Sequence, residues 1–152
     1  MKITMNLEAK PEEMFDLFME SLKFDIEAAT DKKPRNQDLK AGFSYEKMLT
    51  SRLGKPSAAK ATISKLEAPY VYEMKYENFR GINIAIYHIE KVDEDNIEVS
   101  YEEVYEGHKK MDNINFKVMS WIFKRSSAKR ARLLLEAMGQ HILDNRDNAT
   151  KE

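Results

Sequence analysis

Cysteine is absent from the 152 residues, which excludes disulfides, thiolate metal sites and a cysteine nucleophile. Histidine occurs only at His88, His108 and His141, so an imidazole metal site would need all three to converge from distant segments. There is no Gly-rich phosphate loop, no His-x-x-x-His pair and no Gly-x-Ser-x-Gly, and the five glycines never form Gly-x-Gly-x-x-Gly. No apolar run approaches the roughly 18 to 20 residues that a membrane-spanning helix needs. A charge excess of either sign is missing too: 25 Lys and Arg face 26 Asp and Glu, and the isoelectric point is near 6.3. A pI this low argues against a nucleic-acid binder. What is present, 42% apolar and 34% charged residues, suits one folded domain over residues 1–152, with the ordered part expected to end near 145. The alternating start Met1-Lys2-Ile3-Thr4-Met5 lacks the continuous apolar stretch of a signal peptide, so the expected location is the cytoplasm.

Ile3, Met5 and Leu7 alternate with polar neighbours, as in a half-buried strand. Pro11 suits the first position of a helix, and Glu12, Glu13 and Asp16 suit its positive end. Met14, Phe15, Leu17, Phe18, Leu22 and Ile26 continue it at helical spacing to about Ala29, and a polar stretch from Asp31 to Lys40 leaves room for one short turn. From Phe43 to Glu106 the period is 2. Phe43, Tyr45 and Leu49, then Ala59, Ala61 and Ile63, then Tyr72, Met74 and Tyr76, then Ile82, Ile84 and Ile86, then Ile97, Val99, Tyr101 and Tyr105 mark five strands. Short connections make them an antiparallel meander. After Gly107 a helix runs to about Leu143, with Gly139 as a point of interruption.

An antiparallel sheet with one apolar face must cover it, and the C-terminal helix is the one element expected to be large enough. The predicted class is therefore α+β, a helix grip: a curved antiparallel sheet of about six strands around a long C-terminal helix. Met1-Lys2-Ile3 with Pro11-Glu12-Glu13-Met14-Phe15-Asp16, Gly42-Phe43-Ser44-Tyr45, Tyr101-Glu102-Glu103-Val104-Tyr105-Glu106-Gly107 and the segment from Asn115-Phe116-Lys117 to Ala128-Lys129-Arg130 carry a resemblance. The chain resembles the START/Bet v 1-like (SRPBCC) superfamily, and within it a small family of Gram-positive bacteria. That resemblance implies an apolar cavity between sheet and helix. Superfamily members bind lipids and hormones, catalyse cyclisations or contact chaperones, so fold alone does not select a function.

Alternation points to inward polar residues. Glu103 shares parity with Tyr101 and Tyr105, and His88 shares parity with Ile82, Ile84 and Ile86. A Glu and a His in one apolar space would have shifted pKa values and could serve as acid and base. Three plainer alternatives are a position at the wet edge of the sheet, a bulge that reverses parity, and a Glu103–Arg130 pair. Tyr72, Met74, Tyr76, Ile86 and Tyr101 are the expected cavity wall, whose hydroxyls would orient a ligand.

A helical wheel at about 100° per residue groups Met119, Ile122, Phe123, Ser126, Leu133, Leu134 and Ala137 as the core face of the C-terminal helix, with Arg130 inside the stripe. Phe123, Ser126 and Arg130 then join the ligand set. The opposite side gathers Lys117, Trp121, Lys124, Arg125 and Arg132 around the single tryptophan. Residues 90–106 hold eight acids and one Lys, while residues 108–132 hold eight Lys or Arg and one Asp. Neutralisation between these blocks is favoured over an external anionic surface. Trp121 would be covered by the Asp31 to Lys40 segment, by a second copy in a homodimer, or by a partner.

Three functions fit. The first is binding of an apolar, lipid-like or aromatic small molecule in the sheet–helix cavity, without a cofactor or metal. The second is a protein-interaction module acting through the Trp121 face. The third is an enzyme using Glu103 and His88. A non-enzymatic binder is the expectation.

Overall fold

A computed structural model describes the backbone of residues 1–51, 54–107 and 114–150, and the side chains of 1–49, 56–107 and 128–150. The chain runs β1 (Lys2–Glu8), α1 (Pro11–Thr30), a 3-10 turn (Asn36–Asp38), β2 (Ser44–Ser51), β3 (Gly54–Glu67), β4 (Val71–Asn78), β5 (Gly81–Lys91), β6 (Asn96–Gly107) and α2 (Ile114–Thr150). The six strands form one antiparallel sheet in the order β1-β6-β5-β4-β3-β2, and both helices pack on its inner face. This is the helix-grip α+β architecture that the periodicity predicts. No helix among the described residues is long and apolar enough to cross a membrane.

The start of α1 follows from local chemistry. Pro11 fixes the first helical φ, and the Glu13 carboxylate accepts the free Lys10 backbone N–H at 2.8 Å. The same carboxylate accepts from Arg146 Nε at 3.0 Å and from its Nη2, so one side chain both caps α1 and holds the end of α2. These Arg146 hydrogen bonds are the main reason the Glu13 carboxyl is held below its ordinary pKa. At its other end α1 is tied to β2 by Asp25, which accepts from the Tyr45 hydroxyl at 2.5 Å and from Lys47 Nζ at 2.7 Å.

Two expectations about the helices need correction. The inner face is not covered by the C-terminal helix alone. Met14, Phe15, Phe18, Leu22 and Ile26 of α1 are buried against it, and the Phe18 ring lies 4.7 Å from Tyr87 and 6.0 Å from Tyr72 between centroids. A 20-residue helix spans about 30 Å, enough to cross the sheet.

The second correction concerns the orientation of α2. Leu133 and Leu134, expected in the core, are 56% and 53% exposed, and Ala137 is exposed as well. Leu135, Gly139 and Ile142 are buried instead, with Ala128, Ala131 and Met138 beside them. Small residues win this face because the helix must approach β1 closely: a Cβ built on Gly139 would sit 3.1 Å from Leu7 Cδ2. A wheel weighted by apolarity undervalues alanine and glycine, which gain contact through the backbone and not through their own area. Gly139 also does not interrupt α2, which continues past Leu143 to Thr150.

Candidate functional site

The register places the inner face without ambiguity. One row across the sheet joins Tyr72, Tyr87, Tyr101 and Ile3 on β4, β5, β6 and β1. The next joins Ile63, Met74, Ala85 and Glu103, and the one beyond it joins Ala61, Tyr76, Asn83 and Tyr105. Side chains opposite each other in an antiparallel ladder share a face. Tyr72, Met74, Tyr76, Tyr101 and Glu103 are therefore inward, as alternation predicts.

Ile86 and His88 are not. Ile86 pairs with Glu73 and Glu102, and His88 pairs with Val71 and Ser100, all on the outer face, where His88 is exposed. The expected acid–base pair of Glu103 and His88 is thus split across the two sides of the sheet. Asn83, Ala85 and Tyr87 take the inward positions of β5. Of the other histidines, His141 is exposed near the end of α2, and His108 lies outside the described residues. Among the described residues no group of His, Asp and Glu could hold a metal ion.

The aromatic row is continuous. Tyr72 and Tyr87 stack at 5.4 Å with planes 16° apart, and Tyr87 meets Tyr101 at 4.9 Å. Burial raises the phenol pKa of Tyr72, Tyr76, Tyr87 and Tyr101, with Tyr87 pushed up to about 12. The nearby Glu103 carboxylate adds to the rise in Tyr76, Tyr87 and Tyr101. All four phenols stay neutral at physiological pH and can donate or accept hydrogen bonds.

Glu103 is part-buried. Its Oε1 accepts from Asn83 Nδ2 at 2.9 Å, and its Oε2 accepts from the Tyr101 hydroxyl at 3.3 Å. Arg130, the partner expected from the wheel, lies exposed on α2. The amide oxygen of Asn83 is buried and has no hydrogen-bond partner among the described residues. A buried, unpartnered carbonyl costs about 1 to 3 kcal/mol, so the site holds one unsatisfied acceptor beside a carboxylate. That arrangement suits a group that donates hydrogen bonds.

Phe123 and Ser126, named for the cavity, belong to the part of α2 whose side chains lie outside the described residues, as do Lys117, Trp121, Lys124 and Arg125 of the basic face. Arg132 is exposed. The premise that set Trp121 opposite the core has changed, because the buried stripe from Ala128 to Ile142 is not the one used as reference. Two surface grooves are described. One of about 500 Å³ lies between the end of α1 and β2–β3, bordered by Asp25, Ala28, Lys47, Met48 and Ala58. The other, of about 310 Å³, lies between α1 and α2 at Leu17, Ser21, Met138 and His141. Neither includes the tyrosine row.

Fold and site together define a helix-grip domain with an aromatic inner face and one polar cluster upon it. Three solved structures share the fold across nearly their whole length. A protein of Thermus thermophilus, TTHA0849, superposes with a TM-score of 0.63 at 12% identity, covering 95% of this chain and 97% of its own. A conserved protein of Geobacillus kaustophilus gives 0.57 at 15% identity, with 94% of each chain covered. The Bet v 1-like allergen Ara h 8.0201 gives 0.54 at 12% identity, covering 95% of this chain and 97% of its own. At such identities these neighbours establish the fold alone. The chain belongs to the family described as a domain of unknown function, DUF3284, whose model matches residues 1–124. No curated protein matches the sequence.

Proposed function

We propose that this domain binds a small apolar molecule, lipid-like or aromatic, between the inner face of the sheet and α2. The body of the ligand lies against Tyr72, Met74, Tyr76, Tyr87 and Tyr101. Its polar end donates hydrogen bonds to Asn83 and Glu103. One observation carries this reading: the buried Asn83 oxygen, without a partner among the described residues, held beside a carboxylate at the end of an aromatic row. A protein that only needed a filled core would gain by placing an apolar residue there. Likeness to a Bet v 1-like structure supports a ligand-binding use of this fold. A cytoplasmic location and kinship with a Gram-positive family belong to the same proposal, resting on the composition and on the segments quoted above.

Native mass spectrometry of the purified protein tests this. The expected spectrum contains a species carrying one small-molecule adduct, or takes up one dodecylamine per chain when this amine is added. Substituting Asn83→Leu with Glu103→Gln should weaken amine uptake about 10- to 100-fold, the range for losing a hydrogen bond to a charged group. A protein seen only at its own mass, with no uptake of the amine, would overturn the proposal.

A further inference from the structure

A lysine on β2 points to the core side of the sheet. Lys47 pairs with Ala59 and Tyr45 with Ala61, and both alanines are buried. Ala61 pairs in turn with Tyr76, which places Lys47 on the inner face, one row along from that tyrosine. An inward ammonium needs partners. Lys47 Nζ donates to the two Asp25 carboxylate oxygens at 2.7 and 2.8 Å, and it lies 5.6 Å from the centroid of the Tyr76 ring.

To reach that ring the side chain must cross β3. Strands β2 and β4 lie about 10 Å apart, with β3 between them. A bulky residue on β3 would block the crossing, whereas Ala59 and Ala61 leave a trough for the lysine stem. The inner end of the trough is Tyr76, part of the tyrosine face. Its outer end is the groove of about 500 Å³ between the end of α1 and β2–β3, bordered by Asp25 and Lys47 themselves together with Ala28, Met48 and Ala58. One side chain thus separates a surface groove from the inner tyrosines.

The contact that holds this side chain is one that opens. The Lys47 and Asp25 side chains are 19% and 37% exposed, so the pair is partly in water. Ion pairs in water add little net stability, and the lysine can leave for solvent on the timescale of a rotamer change. Its departure uncovers the trough and frees the Asp25 carboxylate, which can accept from the ammonium of an incoming amine in its place. We propose that the ligand enters and leaves the inner face through this groove, with Lys47 as the plug and Asp25 as its latch. The route rests on the ligand reading above and adds to it the residues that control entry.

Dodecylamine is the probe, with its rates followed by stopped-flow intrinsic fluorescence and its affinity by native mass spectrometry. Lys47→Ala should speed association and dissociation at least tenfold. If that variant fails to fold, Asp25→Asn releases the same lysine and keeps an acceptor for Tyr45. Ala28→Trp enlarges an exposed position on the groove, and it should slow both rates at least tenfold with the affinity within twofold. Ala137→Trp, exposed on the groove between α1 and α2, should leave both rates unchanged. Rates that neither Lys47→Ala nor Asp25→Asn raises, that Ala28→Trp leaves alone, or that Ala137→Trp slows instead would overturn the route with ligand binding intact. No uptake of the amine by the unsubstituted protein would remove the ligand reading itself, and the route with it.

Discussion

Replacing Phe18 with alanine is expected to lower stability by about 3 to 5 kcal/mol, the range for a buried phenylalanine. Phe18 is 4% exposed, on the stripe of α1 that covers the sheet, and its ring meets both Tyr72 and Tyr87. Removing it withdraws the apolar lid over the tyrosine row and leaves a cavity that the two strands below cannot collapse to fill. For a domain of this size the loss corresponds to a fall in Tm on the order of 10 °C by thermal unfolding. Phe24, on the same helix but 75% exposed, is the control: Phe24→Ala should change stability by no more than about 0.5 kcal/mol. Equal effects from the two substitutions would mean that α1 does not lie on the sheet by the face described.

The second large effect is expected at Gly81, where β4 turns into β5. Asn78 Oδ1 accepts from the backbone N–H of Arg80 at 2.9 Å and of Gly81 at 3.2 Å, which closes a two-residue turn. A Cβ at Gly81 would sit 2.3 Å from the Glu106 carbonyl oxygen and 2.9 Å from Gly107 Cα. Both are backbone atoms, so no side chain can rotate away and the strands themselves must part. Gly81→Ala should cost at least the roughly 1 to 3 kcal/mol typical of an overpacked site. Hydrogen exchange should then speed up first in the amides where β5 meets the end of β6. Unchanged exchange there would contradict the close approach of the two strands.

That same turn explains where the sequence misleads. With Phe79 and Arg80 as the two loop residues, Asn78 pairs with Gly81, Glu77 with Ile82 and Tyr76 with Asn83. Once Tyr72, Met74 and Tyr76 are inward, Asn83 and Tyr87 must be inward too, whatever their polarity. Judging β5 by apolarity alone reverses it, because Ile82, Ile84 and Ile86 serve the other face and Ile89 alone of its isoleucines faces the core. Turn length was the signal that would have found Asn83 and Tyr87 and removed His88. The remaining strands were legible from alternation because their apolar sides do face the core. The boundaries of α1 were legible from Pro11 and Glu13. The orientation of α2 was not, since its contact face is built from Ala128, Ala131 and Gly139, and which small residues face inward depends on how closely β1 and α1 approach. The reach from Glu13 to Arg146 likewise joins residues 133 positions apart, beyond any local pattern.

The central claim is that the inner tyrosine face receives a ligand, and the seven tyrosines supply their own internal controls. In protein labelled with ¹³C at the tyrosine rings, titration with dodecylamine should shift the signals of Tyr72, Tyr76, Tyr87 and Tyr101 and saturate at one molecule per chain. Tyr45, whose hydroxyl is taken by Asp25, and the exposed Tyr70 should stay in place. A titration that leaves the four inner rings unmoved, or moves only Tyr45 and Tyr70, would contradict the account.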